Sequence, residues 1–185
     1  MDDSHLYFIA FVPPQEIAAN ITGLKVNFSK QYHCIKALKL FPHITLQKPF
    51  KRSPVDEAEL HLNIQPLVES FRSFEVSLNG FGCFDKKNNK VIYIRVEENN
   101  SLAQLHRELM LLLRSALHFS ENETDLVYHP HITVAYRDLS AEDFHKAWAI
   151  YKGKPFSAKF NVNKILLLKH NFRNWEVLSE FTLRK

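Results

Sequence analysis

The sequence lacks several features that would assign it to a common functional class. No apolar run is long enough to cross a bilayer, and the chain begins with Asp2 and Asp3, where a secretory signal would carry positive charge. Glycine occurs only 4 times, and no phosphate-binding loop of the GxxxxGKS or GxxxxGKT type is present. We therefore expect a cytoplasmic protein with no membrane association, no cofactor and no ATP requirement.

Cysteine is also scarce. The two cysteines, Cys34 and Cys83, are far apart in the sequence and form no CxxC pair. This spacing argues against a disulfide framework and against a thiolate zinc site. We expect both residues to be free, buried thiols and expect no bound metal.

The apolar content of the chain is sufficient for a folded unit. Its 185 residues are 45% hydrophobic and 12% aromatic, which is enough to bury a core of the size usual for one domain. No linker or low-complexity segment divides the sequence, so we predict a single domain over residues 1–185 that acts as a monomer. The net charge of +4 is compatible with a polyanionic partner, although the basic residues form no tail.

The hydrophobic pattern predicts strands interleaved with helices. Strands are predicted at residues 6–12, 43–50, 74–80, 91–96, 131–136, 156–162, 164–170 and 175–183. Helices are predicted from Pro13-Pro14 to about residue 32, from Pro54 onward, over 101–119 and over 140–151. Strands 74–80 and 91–96 should pair around a turn at 85–89. Because several strands follow one another through short turns, the fold class is α+β with antiparallel sheets.

The most informative feature is a tetrad that occurs twice. The sequence PHIT stands at residues 42–45 before a leucine, and again at residues 130–133 before a valine. The chain has ten His but only five Thr, so an accidental duplicate is very improbable. Successive strand side chains point to opposite faces, which puts His43 beside Thr45 and His131 beside Thr133. The intervening isoleucines then anchor each strand in the core.

The same alternation places other polar side chains near the motifs. Gln47 should share the face of the first motif, and Arg137 that of the second. Arg137 could contact a phosphate or form a salt bridge at the rim. On the strand at 91–96, Tyr93 is on the face opposite Ile92 and could either stack on a base or pack across strands.

Two imidazoles suit transfer at a phosphodiester. The attacking oxygen must lose a proton and the leaving oxygen must gain one, and imidazole titrates near neutral pH. The hydroxyls of Thr45 and Thr133 could stabilise negative charge on the non-bridging oxygens. A zinc site is the competing hypothesis, but Thr stands where a third ligand would be expected. We expect His43 and His131 to be acid and base without a metal, and the other histidines to be structural or exposed.

These paired motifs resemble those of the 2H phosphoesterase superfamily, in particular its 2'-5' RNA ligase-like branch. The resemblance covers nearly the whole chain and rests on the segments FPHITLQ and HPHITVAY. In addition, residues 80–84 look like a Gly/Phe turn leading to a strand with an aromatic residue. The resemblance implies a bilobal fold with pseudo-two-fold symmetry, two antiparallel sheets and helices on the outer faces. A cleft between the lobes would receive one HxT motif from each.

The resemblance also implies residue roles. His43 and His131 become the acid/base pair, Thr45 and Thr133 bind phosphate, and the family pattern places Phe84 at the cleft. The implied reaction is hydrolysis of a 2',3'-cyclic phosphate or a related RNA-type phosphodiester, so the partner is an RNA end or a nucleotide cyclic phosphate. Our sequence-based hypothesis is that His131 activates water and His43 protonates the departing 3'-oxygen, leaving a 2'-phosphate.

Two other functions remain open at this point. The cleft could hold an RNA end or nucleotide without turnover, as a binding module. Alternatively, the same atoms could act on a small nucleotide-derived metabolite. Because function belongs to the site and not to the fold, the sequence does not choose between them.

Overall fold

The computed structural model describes residues 3–87 and 89–185, so Asp2 and Asn88, the latter within the predicted turn, lie outside the described residues. The elements in chain order are β1 His5–Phe11, α1 Gln15–Tyr32, β2 Ile44–Arg52, α2 Glu57–Ser70, β3 Phe74–Lys86, β4 Asn89–Val96, α3 Asn100–Ser115, β5 His131–Ala135, α4 Ala141–Tyr151, β6 Ser157–Val162, β7 Lys164–His170 and β8 Trp175–Thr182. Short 3-10 turns at Lys36–Lys39 and Pro54–Asp56 precede β2 and α2.

The strands form two four-stranded sheets. The first has the order β2-β1-β7-β8 and the second the order β5-β4-β3-β6, with every neighbouring pair antiparallel. The predicted α+β class with antiparallel sheets is therefore confirmed. Each PHIT motif leads into a strand at the edge of its own sheet, with His43 just before β2 and His131 as the first residue of β5. These two edge strands, β2 and β5, contact each other. The matching positions of β2 and β5 give the two sheets a pseudo-two-fold relation and bring the motifs to one junction.

Two of the helices, α1 and α3, pack against a strand of the sheet on the other side of the junction. α1 follows β1 of the first sheet but packs against β5 of the second, while α3 contacts β2. In α3, leucines recur at three- and four-residue steps, a spacing that predicts an amphipathic helix, and Leu102, Leu105, Leu109 and Leu113 are buried together with His106 and Met110. Each such leucine contributes about 1.5–3 kcal/mol when fully buried. Buried side chains from both sheets form one cluster, within which the Phe11 and Phe160 ring centroids are 6.3 Å apart.

Several boundaries differ from the sequence prediction, and two of the differences have clear local reasons. α3 ends at Ser115 instead of 119, because His118 adopts a φ of 54° and the amide of Phe119 donates to the carbonyl of Leu113 at 2.9 Å. β3 continues to Lys86, so residues 80–84 lie within a strand and the predicted Gly/Phe turn is wrong. A bulge with Gly80 at a φ of 62° bends this strand where a turn was expected.

The cysteines are both free, as predicted, but they differ in burial. Cys34 is buried, whereas Cys83 is only half-buried at the margin of the core, which corrects the expectation for that residue. Among the described residues, no helix combines the length and apolar character needed to cross a bilayer.

Candidate active site

A cavity of about 420 Å³ lies where the two motif strands meet. Its wall contains four residues singled out from the sequence, which are His43, Thr45, Thr133 and Arg137, whereas His131, Tyr93 and Phe84 are not among its lining residues. It also contains residues not expected there, among them Phe8, Lys25, Tyr136, His170 and Trp175. The volume is in the range typical of small-molecule sites and is suited to a ligand of nucleotide size.

The imidazole of His43 is held by a main-chain acceptor and two aromatic rings. Its Nδ1 lies 2.9 Å from the carbonyl oxygen of Phe41. A carbonyl can only accept, so Nδ1 carries the proton and Nε2 has a free lone pair in the neutral ring. The ring centroids of Phe8 and Phe41 lie 5.3 and 6.1 Å from that of His43. The side chain is therefore fixed with Nε2 available for proton exchange.

His131 repeats this arrangement on the other sheet. Its Nδ1 lies 2.7 Å from the carbonyl oxygen of His129. His129 precedes His131 by two residues, just as Phe41 precedes His43 by two. The rings of Phe84 and Tyr93 pack on it with centroid distances of 5.2 and 4.9 Å. The duplication thus extends beyond the tetrad to the hydrogen bond and the aromatic support of each imidazole.

Both imidazoles favour their neutral form. Burial lowers the pKa of His43 to about 4, and the positive charges of Lys25 and His131 act in the same direction, while the hydrogen bond to Phe41 opposes them. Burial also lowers the pKa of His131, with His129 adding to the effect. The two imidazoles interact electrostatically across the junction, so the protonation of one disfavours that of the other.

The threonines and Arg137 reach the cavity by different means. Thr45 pairs with Ala10 in β1 and Thr133 pairs with Tyr93 in β4, so strand register positions both hydroxyls. Arg137 lies beyond the end of β5 at a φ of 62°, so strand alternation does not explain its position. Instead, the carboxylate of Asp138 accepts from the amides of Ile35 and Lys36, each at 2.9 Å, and this contact fixes the segment that carries Arg137.

Two positions predicted from the sequence need correction. Gln47 is not at the cavity: its side chain is 1% exposed and donates to the carbonyl of Glu123 at 2.8 Å. Irregularities in the pairing of β1 with β2 interrupt the alternation there, and Pro49 lines the cavity instead. His170 was expected to be structural or exposed, yet it lies in the cavity wall beside Trp175, with ring centroids 5.0 Å apart.

Lys25 is the most consequential residue that sequence reasoning missed. Its side chain is 3% exposed, and its Nζ donates to the carbonyl of Leu40 at 2.9 Å. Burial lowers the pKa of this ammonium to about 8. A sequence signal was present, because Lys25 lies on the buried stripe of α1 formed by Ile21, Phe28 and Tyr32. A lone charge on an apolar helix face is a candidate for a functional residue.

Tyr93 and Phe84 lie on the His131 side of the site. Their ring centroids are 4.7 Å apart, and both contact the imidazole of His131. A Cβ at Gly82 would clash with the Tyr93 ring, so the ring can lie over the strand only because residue 82 has no side chain. Cross-strand packing of Tyr93 is thus observed, and its stacking on a base stays a prediction.

A zinc site would need more ligands than the two histidines provide. Zinc sites use at least three protein ligands, drawn from His, Cys, Asp and Glu. Across residues 3–87 and 89–185, no group of three or more such side chains is placed to hold a metal ion. Independence from a metal stays a prediction that a chelator can test.

Comparison with known proteins identifies relatives over nearly the full length. A family model described as the 2'-5' RNA ligase superfamily matches residues 13–173. A candidate phosphoesterase of Geobacillus kaustophilus (strain HTA426) is 25% identical over 176 residues, covering 95% of this chain and 94% of that protein.

Solved structures of E. coli LigT have the same fold. The apo form matches with a TM-score of 0.72 at 19% identity, covering 98% of this chain and 99% of LigT. LigT complexed with 3'-AMP matches with a TM-score of 0.68 at 18% identity, covering 99% of each chain. Together with the family model, which matches most of the chain, these relatives confirm the resemblance seen in the paired HxT motifs. The chain belongs to the 2'-5' RNA ligase superfamily of 2H phosphoesterases.

Proposed function

We propose that this protein hydrolyses 2',3'-cyclic phosphates or related RNA-type phosphodiesters by paired-histidine acid/base catalysis, without a metal. The observation that carries the proposal is the duplicated arrangement of His43 and His131. Each imidazole donates a hydrogen bond from its Nδ1–H to a main-chain carbonyl, which leaves Nε2 free to exchange a proton with a ligand. Thr45 and Thr133 line the same cavity as His43, where their hydroxyls would donate to the phosphate.

In the proposed hydrolysis, the oxygen of water attacks phosphorus and the bond from phosphorus to the 3'-oxygen breaks. One histidine takes a proton from the water and the other gives a proton to the 3'-oxygen, so the product is a 2'-phosphate. Negative charge accumulates on the non-bridging oxygens, where the threonine hydroxyls and the Arg137 guanidinium would stabilise it. The charge of a bound phosphate also raises the pKa of both imidazoles, which makes the protonated acid accessible near neutral pH.

The surroundings of the two imidazoles support a division of roles. Lys25 places a positive charge near His43 and disfavours its protonation. We therefore propose that His43 accepts the proton of water and His131 donates to the leaving oxygen. This is the reverse of the hypothesis drawn from the sequence, in which His131 was the base. The roles exchange when the reaction runs toward ligation.

The size and chemistry of the cavity support a nucleotide-type substrate. Its volume of about 420 Å³ suits one nucleotide, and Trp175, Phe8 and Tyr136 in its wall offer aromatic surface. LigT, which has the same fold, has been crystallised with 3'-AMP. A nucleoside 2',3'-cyclic phosphate is therefore the smallest substrate that we expect to be cleaved, and an RNA end is the larger form of the same chemistry.

We also propose that the chain works as a single cytoplasmic domain and as a monomer. The continuous cluster of buried side chains from both sheets supports one folding unit. Light scattering after gel filtration would test the second statement, with a mass near 21.7 kDa expected. A mass of twice that value would contradict it.

The direct test of the proposed reaction is an assay in EDTA with two substrates. One is adenosine 2',3'-cyclic phosphate and the other is a short RNA that ends in a 2',3'-cyclic phosphate. We expect cleavage of at least one substrate to a 2'-phosphate, identified by chromatography against 2'- and 3'-phosphate standards. Binding of both substrates without turnover would contradict the proposal and favour a binding module.

A further inference from the structure

Lys25 is a buried cation whose only described partner is neutral. Its side chain is 3% exposed, and the carbonyl of Leu40 accepts one hydrogen bond from its Nζ at 2.9 Å. An ammonium has three N–H donors, so this bond leaves two of them for other acceptors. None of the ion pairs among the described residues involves Lys25. Burial of a charge without a counterion opposes folding, so such a residue needs another explanation.

The position of Lys25 supplies that explanation. It extends from α1, which packs against β5, into the wall of the cavity that holds His43, Thr45 and Thr133. It is close enough to His43 to lower the pKa of the imidazole. A ligand in the cavity would therefore meet this ammonium together with the threonine hydroxyls.

The charge of the cavity wall indicates what kind of ligand fits. Arg137 is a second cation in the wall, and no ion pair among the described residues involves it either. The residues that line the cavity include no Asp or Glu. Besides the imidazoles of His43 and His170, the wall therefore carries two cationic side chains, those of Lys25 and Arg137. A phosphodiester supplies one negative charge, whereas a phosphomonoester near neutral pH supplies nearly two.

We propose that Lys25 is an anion-binding residue of this cavity and that it makes the site prefer phosphomonoester dianions over phosphodiester monoanions. The inference deepens the proposed function, because the phosphomonoester is the chemical class of its product. Lys25 would then hold the product after cleavage, together with Arg137. A terminal phosphomonoester on a substrate would bind to Lys25 in the same way.

Equilibrium binding of two matched ligands tests this proposal without any turnover. The ligands are 3'-deoxyadenosine 2'-monophosphate and its methyl ester, which differ by one charge and cannot form a cyclic phosphate. Calorimetry would give the affinity of each ligand for the wild type, for Lys25→Met and for Lys30→Met. Lys30 is an exposed lysine on the same helix, so its variant controls for the loss of one positive charge.

We expect the wild type and Lys30→Met to bind the monoester about tenfold more tightly than the methyl ester, the difference expected from one charge-assisted hydrogen bond. In Lys25→Met the ratio should fall to about one. An unchanged ratio in Lys25→Met, or a ratio of one in the wild type, would overturn the proposal.

Thermal unfolding of the same variants separates a ligand-binding role from a structural one. Lys25→Met should be at least as stable as the wild type, because methionine fills the buried site without a charge. If Lys25→Met fails to fold, Lys25→Gln replaces it in the binding measurement, and failure of both to fold would contradict the proposal. The two proposals can fail separately. If the protein cleaves no cyclic phosphate but still prefers the monoester in a way that depends on Lys25, the proposed reaction is refuted and the proposed anion site is supported.

Discussion

At the scale of single residues, the site depends on how each imidazole is held. A main-chain carbonyl two residues before each histidine fixes the tautomer, and two aromatic rings fix the orientation of each ring. This leaves Nε2 of His43 and of His131 as the proton-exchanging atom. The proposed reaction would require histidine at both positions, since no other side chain offers a fixed donor and a titrating acceptor on one ring.

A sulfur leaving group will distinguish the acid from the base. A cyclic phosphate with sulfur in place of the 3'-oxygen releases a thiolate, which needs no proton. We expect His131→Ala to cleave this substrate at close to the wild-type rate, while His43→Ala remains impaired by about 10² or more, as for loss of a general base. Recovery in His43→Ala instead would support the roles inferred from the sequence.

We expect the threonine hydroxyls to stabilise the bound phosphate and to contribute little to the stability of the fold. Thr45→Val and Thr133→Val keep the shape of each side chain, and both positions are partly exposed in the cavity wall. We expect each to lower kcat by about 10- to 100-fold, a modest loss for one oxyanion-stabilising donor. The matched control is Thr22→Val, since Thr22 lies on the surface of α1 and its hydroxyl donates to Ala18. An equal loss of activity in the control would contradict a specific role.

At the scale of elements, the β3–β4 pair holds the aromatic ring that contacts His131, and it does so because one of its residues is a glycine. Gly82 pairs with Tyr93, and its lack of a Cβ lets the Tyr93 ring lie over the strand and contact His131. Phe84 packs on the same two rings. The orientation of His131 therefore depends on a glycine two strands away in the sheet.

Gly82→Ala tests this dependence. The added Cβ would displace the Tyr93 ring from its place against Phe84 and His131, which should cost about 1–3 kcal/mol in stability. We expect a several-fold loss of kcat and a changed NMR chemical shift of His131, with the signals of His43 unaltered. A wild-type His131 signal in Gly82→Ala would show that Tyr93 does not position the imidazole.

Much of the element-level description could be predicted from the sequence, and the exceptions have physical causes. Strand alternation placed His43, Thr45 and Thr133 correctly in one cavity wall, and the helix period of α3 predicted its buried face. Alternation failed at Gln47, where irregular pairing with β1 shifts the strand. It gave Arg137 a cavity position for the wrong reason, because that residue adopts a left-handed conformation beyond the strand end.

At the scale of the whole molecule, the site combines residues from distant parts of the chain. Lys25 belongs to α1 and reaches the cavity because α1 packs against a strand of the other sheet, while His170 and Trp175 come from the β7–β8 pair. No local pattern shows that these residues meet at one cavity, so Trp175 and His170 were not predicted there. The charge of Lys25 on the apolar stripe of α1 was a signal, but it did not indicate which cavity the residue enters. The PHIT motifs were recognisable because repetition is visible in one sequence without knowledge of the packing.

The molecule also carries neutral histidines that make its stability depend on pH. Burial lowers the pKa of His106 to about 4, and its ring stacks on Tyr128 with centroids 3.9 Å apart. In the unfolded chain the imidazole has an ordinary pKa near 6.5, so below that pH the unfolded state binds a proton that the folded state does not. The free energy of unfolding should therefore fall as the pH is lowered from 6.5 toward 4.

His106→Phe tests this account, because it keeps the stack on Tyr128 and removes the titrating group. Between pH 6.5 and 4 the wild type should lose up to about 3 kcal/mol more stability than the variant. Urea unfolding at several pH values would measure the difference, with His145→Phe, at an exposed position, as the control. Parallel pH dependence in the wild type and His106→Phe would show that His106 is protonated in the folded protein.

The central claim is that two histidines catalyse cleavage without a metal. Its most direct test is the rate of cleavage of adenosine 2',3'-cyclic phosphate in EDTA by the wild type, His43→Ala, His131→Ala and the surface control His145→Ala. We predict unchanged turnover of the wild type and the control in EDTA, and a loss of about 10² to 10⁴ in kcat for each site variant. Wild-type rates in either site variant, or activity that EDTA abolishes and a divalent cation restores, would contradict the claim.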